Sequence, residues 1–239
     1  MPHLLVDWPF VPASRRLLEV SMPMPIPAPL DPELESFAVI DDVEQEDMSA
    51  HQASPCTPRE ARELLTRGNQ AFVDGMHHHR PMTEEWRENL IHNGQHPYAV
   101  VVTCSDARVQ PAIIFSMHLG DLFVIRTVGG YIDRVGEASV EYGVGHLAAP
   151  LVVVLGHTHC GLVQAAIDGH GDGVVREVAA EVAAVLNGET DPRVAERINV
   201  RHTISCLMEN PTVRELVENG QVEVAGAIYD MASGRVEWM

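Results

Sequence analysis

Residues 98–108 read Tyr98-Ala-Val-Val-Val-Thr-Cys104-Ser-Asp106-Ala-Arg108, and residues 151–161 read Leu151-Val-Val-Val-Leu-Gly156-His157-Thr-His-Cys160-Gly161. Each stretch joins a short, continuous apolar run to a cluster of polar, reactive side chains. Continuous β-rich runs of this length predict strands buried on both faces of a parallel sheet. The run over 122–126 has the same character, and 222–229 predicts a fourth strand. A turn over 230–234 then leads to a short strand over 235–238. Helical spacing fills the intervals, over 111–117, 137–147, 161–167, 174–186, 193–209 and 212–218. Strands alternating with helices predict an α/β fold whose mainly parallel sheet is flanked by helices.

Upstream of the first strand the pattern is helical. Thr57-Pro58-Arg59-Glu60 reads as a capping box with proline at the first helical position. Ala61, Leu64, Leu65, Gly68 and Phe72 follow at helical spacing, forming an N-terminal helical arm, and a second helix is expected over 84–91. This arm has no evident place on a sheet already covered by later helices. It is therefore expected to pack across a partner subunit.

Residues 1–55 differ in kind. They carry ten acids against Arg15 and Arg16, and a run in which proline alternates from Pro23 to Pro29. This composition predicts a disordered acidic tail, with partner docking as the functional alternative and Met48 as a possible true start. The domain division is thus a tail over 1–55 and one α/β domain over 56–239.

Composition removes whole classes of function. The 239 residues hold 16 basic and 34 acidic side chains, a formal charge of −18. Such a field repels phosphate backbones and anionic membranes, so neither nucleic acid nor membrane is an expected partner. Every basic residue is arginine, which excludes a Schiff-base lysine and a P-loop lysine. Four cysteines in a chain this long are too sparse for a disulfide scaffold. Free thiols or metal ligands fit better and suggest a reducing compartment. With neither a membrane-length apolar run nor a signal peptide, the expected location is cytoplasmic.

In open α/β sheets, ligands bind beyond the carboxyl ends of the strands. If the first and third strands are neighbours, Cys104, His157 and Cys160 converge there. Two thiolates and an imidazole suit zinc, one ion per chain. Three protein ligands leave a fourth position, open to water or to Asp106. Arg108 competes for Asp106, because a guanidinium matches a carboxylate in bidentate fashion. If Arg108 holds Asp106, the site is open and catalytic. If Asp106 binds the metal, the site is closed and resembles a structural one. Thiolates donate more charge than imidazoles, so either an alkaline optimum or help from Asp106 as acceptor for the water's proton is expected. His77-His78-His79 reads as a solvated loop, His159 as a solvent-facing residue beside the ligands, and Cys56 and Cys206 as structural.

Taken together, these residues resemble the β-class carbonic anhydrases, from about residue 57 to 238. Cys104-Ser-Asp106-Ala-Arg108 matches that family's C-x-D-x-R and His157-Thr-His-Cys160-Gly161 its H-x-x-C-G. The segments 120–126, 226–230 and 234–236 are also similar to family segments. The resemblance implies zinc on Cys104, His157 and Cys160, with Asp106 and Arg108 as a gating dyad. It implies reversible hydration of carbon dioxide to bicarbonate and a proton. It further implies a homodimer, or a dimer of dimers, with Gln95, Phe123, Tyr142 and Gly161 in a substrate pocket at the interface. The combination of Gln95, Phe123 and Tyr142 points to the constitutively open subtype. Carbonyl sulfide or carbon disulfide hydrolysis on the same site, and a non-catalytic closed zinc site, are the alternatives. One segment departs: where the family has Arg-Asn-x-x-Asn, this chain has Arg126-Thr127-Val128-Gly129-Gly130. Both amides are missing, and the two glycines are expected to loosen the loop.

Overall fold

A computed structural model describes residues 56–76 and 82–239. The expected acidic tail over 1–55, the start at Met48 and the His77–His79 triplet lie outside the described residues.

The chain order is α1 (Pro58–Val73), α2 (Glu84–Asn93), β1 (Ala99–Cys104), α3 (Pro111–Ile114), β2 (Leu122–Thr127) and a 3-10 turn (Val128–Gly130). After these come α4 (Arg134–Gly145), β3 (Leu151–His157), α5 (Gly161–Asp168), α6 (Gly173–Leu186), α7 (Pro192–Glu209), α8 (Pro211–Glu218), β4 (Glu223–Tyr229) and β5 (Val236–Trp238). The strands form one sheet in the order β2-β1-β3-β4-β5. The first four are parallel and β5 returns antiparallel to β4. Every residue of β1 is buried, as a central strand covered on both faces requires.

Alternation along the strands divides the core in two. Val101, Val153 and Leu155 face a layer containing Ala61 and Leu65 of α1 and Ile114 and Phe115. Val100, Val102, Val152 and Val154 face Val140, Val144, Val200, Leu207 and Val213 of α4, α7 and α8. The first layer corrects the expectation for the N-terminal arm. Ala61 and Leu65 are 0% exposed within their own chain, so the apolar stripe of α1 needs no partner subunit. The later helices leave that face of the sheet open, and α1 fills it. Its capping box forms as read, with Thr57 Oγ1 accepting from Glu60 N–H and Glu60 accepting from Thr57 N–H.

Four helix boundaries move for local reasons. The helix expected over 111–117 stops at Ile114, because Ser116 takes a left-handed φ of 50°. The helix expected from 137 begins at Arg134, where the Asp133 carboxylate accepts from Gly136 N–H at 2.8 Å. Helices α7 and α8 each start one residue early, on prolines whose fixed φ and missing N–H suit the first helical position. At the carboxyl end of β3, Gly156 lets α7 press onto the sheet: a Cβ there would lie 2.5 Å from Val200 Cγ2. Among the described residues no helix is long and apolar enough to cross a membrane.

Candidate metal centre

Strand register brings the reactive residues together. Thr103 lies opposite Leu155, so Cys104 and His157 leave adjacent strands at the same end of the sheet. The chain then turns through Thr158 and His159 into α5, with Cys160 at its N-cap. His159 is exposed and left-handed, with φ 60°. The donor atoms of Cys104, His157 and Cys160 all lie within 4.8 Å of one another, and all three residues are buried. Asp106 is not part of this cluster.

The donors are arranged for a cation. His157 Nδ1 bonds the Thr158 carbonyl at 2.9 Å, which makes Nδ1 the donor and leaves Nε2 with its lone pair free. Nε2 is a buried nitrogen without a hydrogen-bond partner. Such an atom is costly to bury unless something else satisfies it. Zinc bonds of about 2.3 Å to sulfur and about 2.0 Å to nitrogen span a cluster of this size. The residues present therefore fit a soft divalent ion.

Electrostatics point the same way. The hydrogen bond from Cys160, aided by His157 and the backbone N–H groups of Asp106 and Gly129, brings the Cys104 thiol down to about 4 against its burial. The same sharing with Cys104, together with burial, pushes the Cys160 thiol up, although the N–H groups of Val163 and Leu162 in the first turn of α5 favour its thiolate. The two sulfurs hydrogen-bond each other, and a divalent ion held between them would require both as thiolates. For His157 burial is the largest influence and lowers its pKa. The neighbouring Cys104 sulfur, the Thr158 carbonyl and Asp106 outweigh it, and the net shift is upward.

Asp106 is fully engaged. Its Oδ1 accepts from Arg108 N–H at 2.9 Å and from Arg108 Nε at 3.0 Å, and its Oδ2 accepts from Nη2 at 2.7 Å. That bidentate pair holds the carboxyl well below its usual range. Arg126 secures the loop itself, donating to the carbonyls of Cys104 at 3.2 Å and Asp106 at 2.7 Å and to Gln110 Oε1 at 3.1 Å.

The turn over 128–130 is not loose. Gly129 is buried at φ 64°, where a Cβ would lie 2.4 Å from Leu162 Cδ2. Its N–H donates to Cys104 Sγ at 3.3 Å, and its carbonyl accepts from Asn199 Nδ2 at 2.9 Å. Sequence reading passed over Asn199 and Glu196, whose carboxylate accepts from Cys160 N–H at 3.2 Å. The available signal was a polar pair on the apolar face of α7, beside Ala195, Val200 and Leu207.

Of the four residues expected in a pocket, only Gly161 adjoins the cluster. It is exposed, with nothing within 4 Å of where a Cβ would be. Phe123 is level with Val100, four residues before the Cys104–Thr127 pair, or about 13 Å along the strand. Its ring lies 6.1 Å from that of Tyr142, which stacks on His146 at 5.2 Å. Gln95 is exposed in the loop after α2.

A family model described as carbonic anhydrase matches residues 99–236. Over 189 residues the chain is 39% identical to carbonic anhydrase 2 of Mycobacterium tuberculosis, covering 74% of this chain and 91% of that protein. It is 36% identical over 193 residues to a carbonic anhydrase of Mycolicibacterium smegmatis, covering 75% and 92%. Among solved structures, a tetrameric beta-carbonic anhydrase from Sordaria macrospora superimposes with a TM-score of 0.60 at 30% identity, covering 72% of this chain and 93% of that one. A Coccomyxa beta-carbonic anhydrase does so with a TM-score of 0.60 at 25% identity, covering 73% and 84%.

Proposed function

The chain belongs to the β-class carbonic anhydrases, a carbonate dehydratase that hydrates carbon dioxide, and from that membership we propose that its resident metal is zinc. Cys104 Sγ, His157 Nε2 and Cys160 Sγ are the ligands. The observation that carries this assignment is the buried, unpartnered Nε2 facing two thiols. When bound, zinc supplies the Lewis acidity that makes a nucleophile of water near neutral pH.

The remaining roles fall to the protein. Arg108 holds both oxygens of Asp106, which keeps the carboxylate ionised and turned from the ligand cluster. The fourth position is thereby left open, which favours a catalytic site over a closed structural one. Asp106 is the acceptor for the O–H of the attacking water. Gly161 offers a surface without a Cβ, so a small planar substrate can approach Cys160 closely. Residues 56–239 act as one catalytic unit.

We assign Gln95, Phe123 and Tyr142 to the centre of a second copy of the chain. The separation of Phe123 from its own cluster supports this, and so does the edge of β2, which no strand among the described residues covers. Along that edge Val124 is 39% exposed, and Val128 just beyond it 43%. An open edge with apolar side chains invites pairing. Antiparallel pairing of two β2 edges about a two-fold axis sets the amino end of each β2 beside the carboxyl end of the other. Each Phe123 then lies toward the partner's metal centre.

Stopped-flow hydration of carbon dioxide on metal-quantified protein tests this reading. About one zinc per chain and a rate rising from neutral to alkaline pH are expected. Inactive protein at full zinc occupancy would sink it.

A further inference from the structure

Helix α7 touches the metal centre at two points, and neither point is a ligand. Its buried face carries Ala195, Glu196, Asn199, Val200, Thr203 and Leu207. Glu196 and Asn199 are only 4% and 6% exposed. Three residues apart, they project from the same side of the helix. Both bond to the backbone of the site instead of to another side chain. Glu196 accepts Cys160 N–H at 3.2 Å, and the N–H of His159 also bonds its carboxylate. Asn199 donates to the Gly129 carbonyl at 2.9 Å, and the same peptide turn points Gly129 N–H at Cys104 Sγ, 3.3 Å away.

The two turns reached in this way are the ones least able to hold themselves. One contains His159 at φ 60°, a left-handed conformation that an L side chain adopts only when its surroundings impose it. The other contains Gly129 at φ 64°, in a segment where the amides at positions 127 and 130 suggested by the family resemblance are replaced by Thr127 and Gly130. The turns lie in different parts of the chain, one after β2 and one after β3. A single rigid helix braces both. Close contact of Val200 with Gly156 and Gly226 seats that helix on the sheet.

We propose that Glu196 and Asn199 are positioning residues that together fix the spacing between Cys104 and Cys160, so that the two thiol-bearing segments meet one metal ion. The proposal rests on the assignment of zinc to Cys104, His157 and Cys160. Asn199 acts through Gly129 on Cys104, and Glu196 acts on Cys160 and the turn before it. The amide that steadies the loop after Arg126 thus comes from α7.

The test is the zinc dissociation constant of the purified full chain, measured by competition with a chromophoric chelator. The sulfur-to-cobalt absorption band of the cobalt-loaded protein gives a second readout that does not depend on turnover. E196A and N199L should each weaken zinc binding by about 10- to 100-fold and shift the cobalt band. N199D keeps the shape and polarity of the side chain but, ionised, has no N–H to donate; it should weaken binding in the same way, and it stands in if N199L does not fold. E196Q keeps an acceptor oxygen and should restore affinity to within about threefold of wild type. L207A thins the packing of the same helix two turns beyond Asn199, where Leu207 is buried away from the site. It should lower the unfolding temperature yet leave zinc affinity and the cobalt band unchanged. Affinities of E196A, N199L and N199D within threefold of wild type would overturn the proposal. So would a loss in L207A equal to theirs, or a loss in E196Q equal to that of E196A. Wild-type protein that takes up no zinc would instead overturn the metal assignment on which it rests.

Discussion

The carboxyl end of β1 and β3 and the outer edge of β2 lie in the same sheet but differ in completeness. At the first, one chain supplies three buried donors, a bidentate Asp106–Arg108 pair and a brace of backbone hydrogen bonds. At the second, no strand among the described residues lies beside the main chain, and Val124, Val128 and Tyr142 are 39%, 43% and 48% exposed. From this contrast we propose that metal capture and substrate capture are separable in this protein. The chain builds its metal site alone, and we propose that it borrows the pocket from a second copy.

Four experiments press on that contrast. The largest effect is expected from Cys160→Ser. A hydroxyl does not ionise readily to ligate a soft metal, so zinc should fall from about one per chain to under about a tenth. The metal-free chains should still associate, because the β2 edge is untouched. Full zinc content by metal analysis would remove Cys160 from the ligand set.

Arg108→Ala comes next. Zinc content should hold while kcat/KM for hydration drops by about a hundredfold or more, since Asp106 is then free to turn toward the metal. An unaltered rate would reduce the pair to a loop ion pair.

A third experiment mixes subunits. Cys160→Ser has an intact pocket but no metal, and a Gln95→Ala/Phe123→Ala double variant has metal but an impaired pocket. If each pocket serves the partner's centre, every mixed dimer holds one complete site. Random mixing should then recover about a quarter of wild-type activity. Mixed dimers seen by native mass spectrometry without recovered activity would place the pocket within a single chain.

The smallest effect is on acid stability. Arg108 holds the Asp106 carboxyl below its ordinary value of 3.8 in the folded protein. A depressed folded pKa contributes stability above the unfolded value, and this is lost as pH falls toward the folded one. Wild type should therefore exceed Arg108→Ala in urea stability at neutral pH, and the two should converge under strong acid. A gap that persists unchanged below the Asp106 titration would assign the effect to something other than this pair.

Much of this molecule could be read before it was seen. Runs such as 98–103 and 151–156 are buried on both faces, so burial pattern and strand pattern coincide and their location is legible from the residues alone. Their ends are legible for the same reason, because polar ligands interrupt an apolar run. Cys104, His157 and Cys160 could therefore be singled out as a cluster, and Asp106 and Arg108 as a pair, and the structure brings each group together. The helix α1 was legible as a helix but not as to what it covers, since an apolar stripe does not say which surface it meets. The 3-10 turn over 128–130 was legible as glycine-rich, yet two glycines gave no hint that Asn199, seventy positions from Gly129, bonds it.

Local order was thus determined by the sequence: strand and helix type, the capping box at Thr57, and the donor set for a soft metal. Element type and the cap rest on residues within about one or two turns of one another, where short-range sterics and periodicity decide; the donor set was read as two local motifs, 104–108 and 157–161, whose meeting rests on the strand order. The tertiary structure alone decided the bidentate geometry of the Asp106–Arg108 pair, the seating of α1, and the contacts of Arg126, Glu196 and Asn199. These depend on which backbone N–H or carbonyl faces which side chain after packing. Spacing along the chain carries no such information, because a buried polar group takes the partner that the folded backbone brings within about 3 Å.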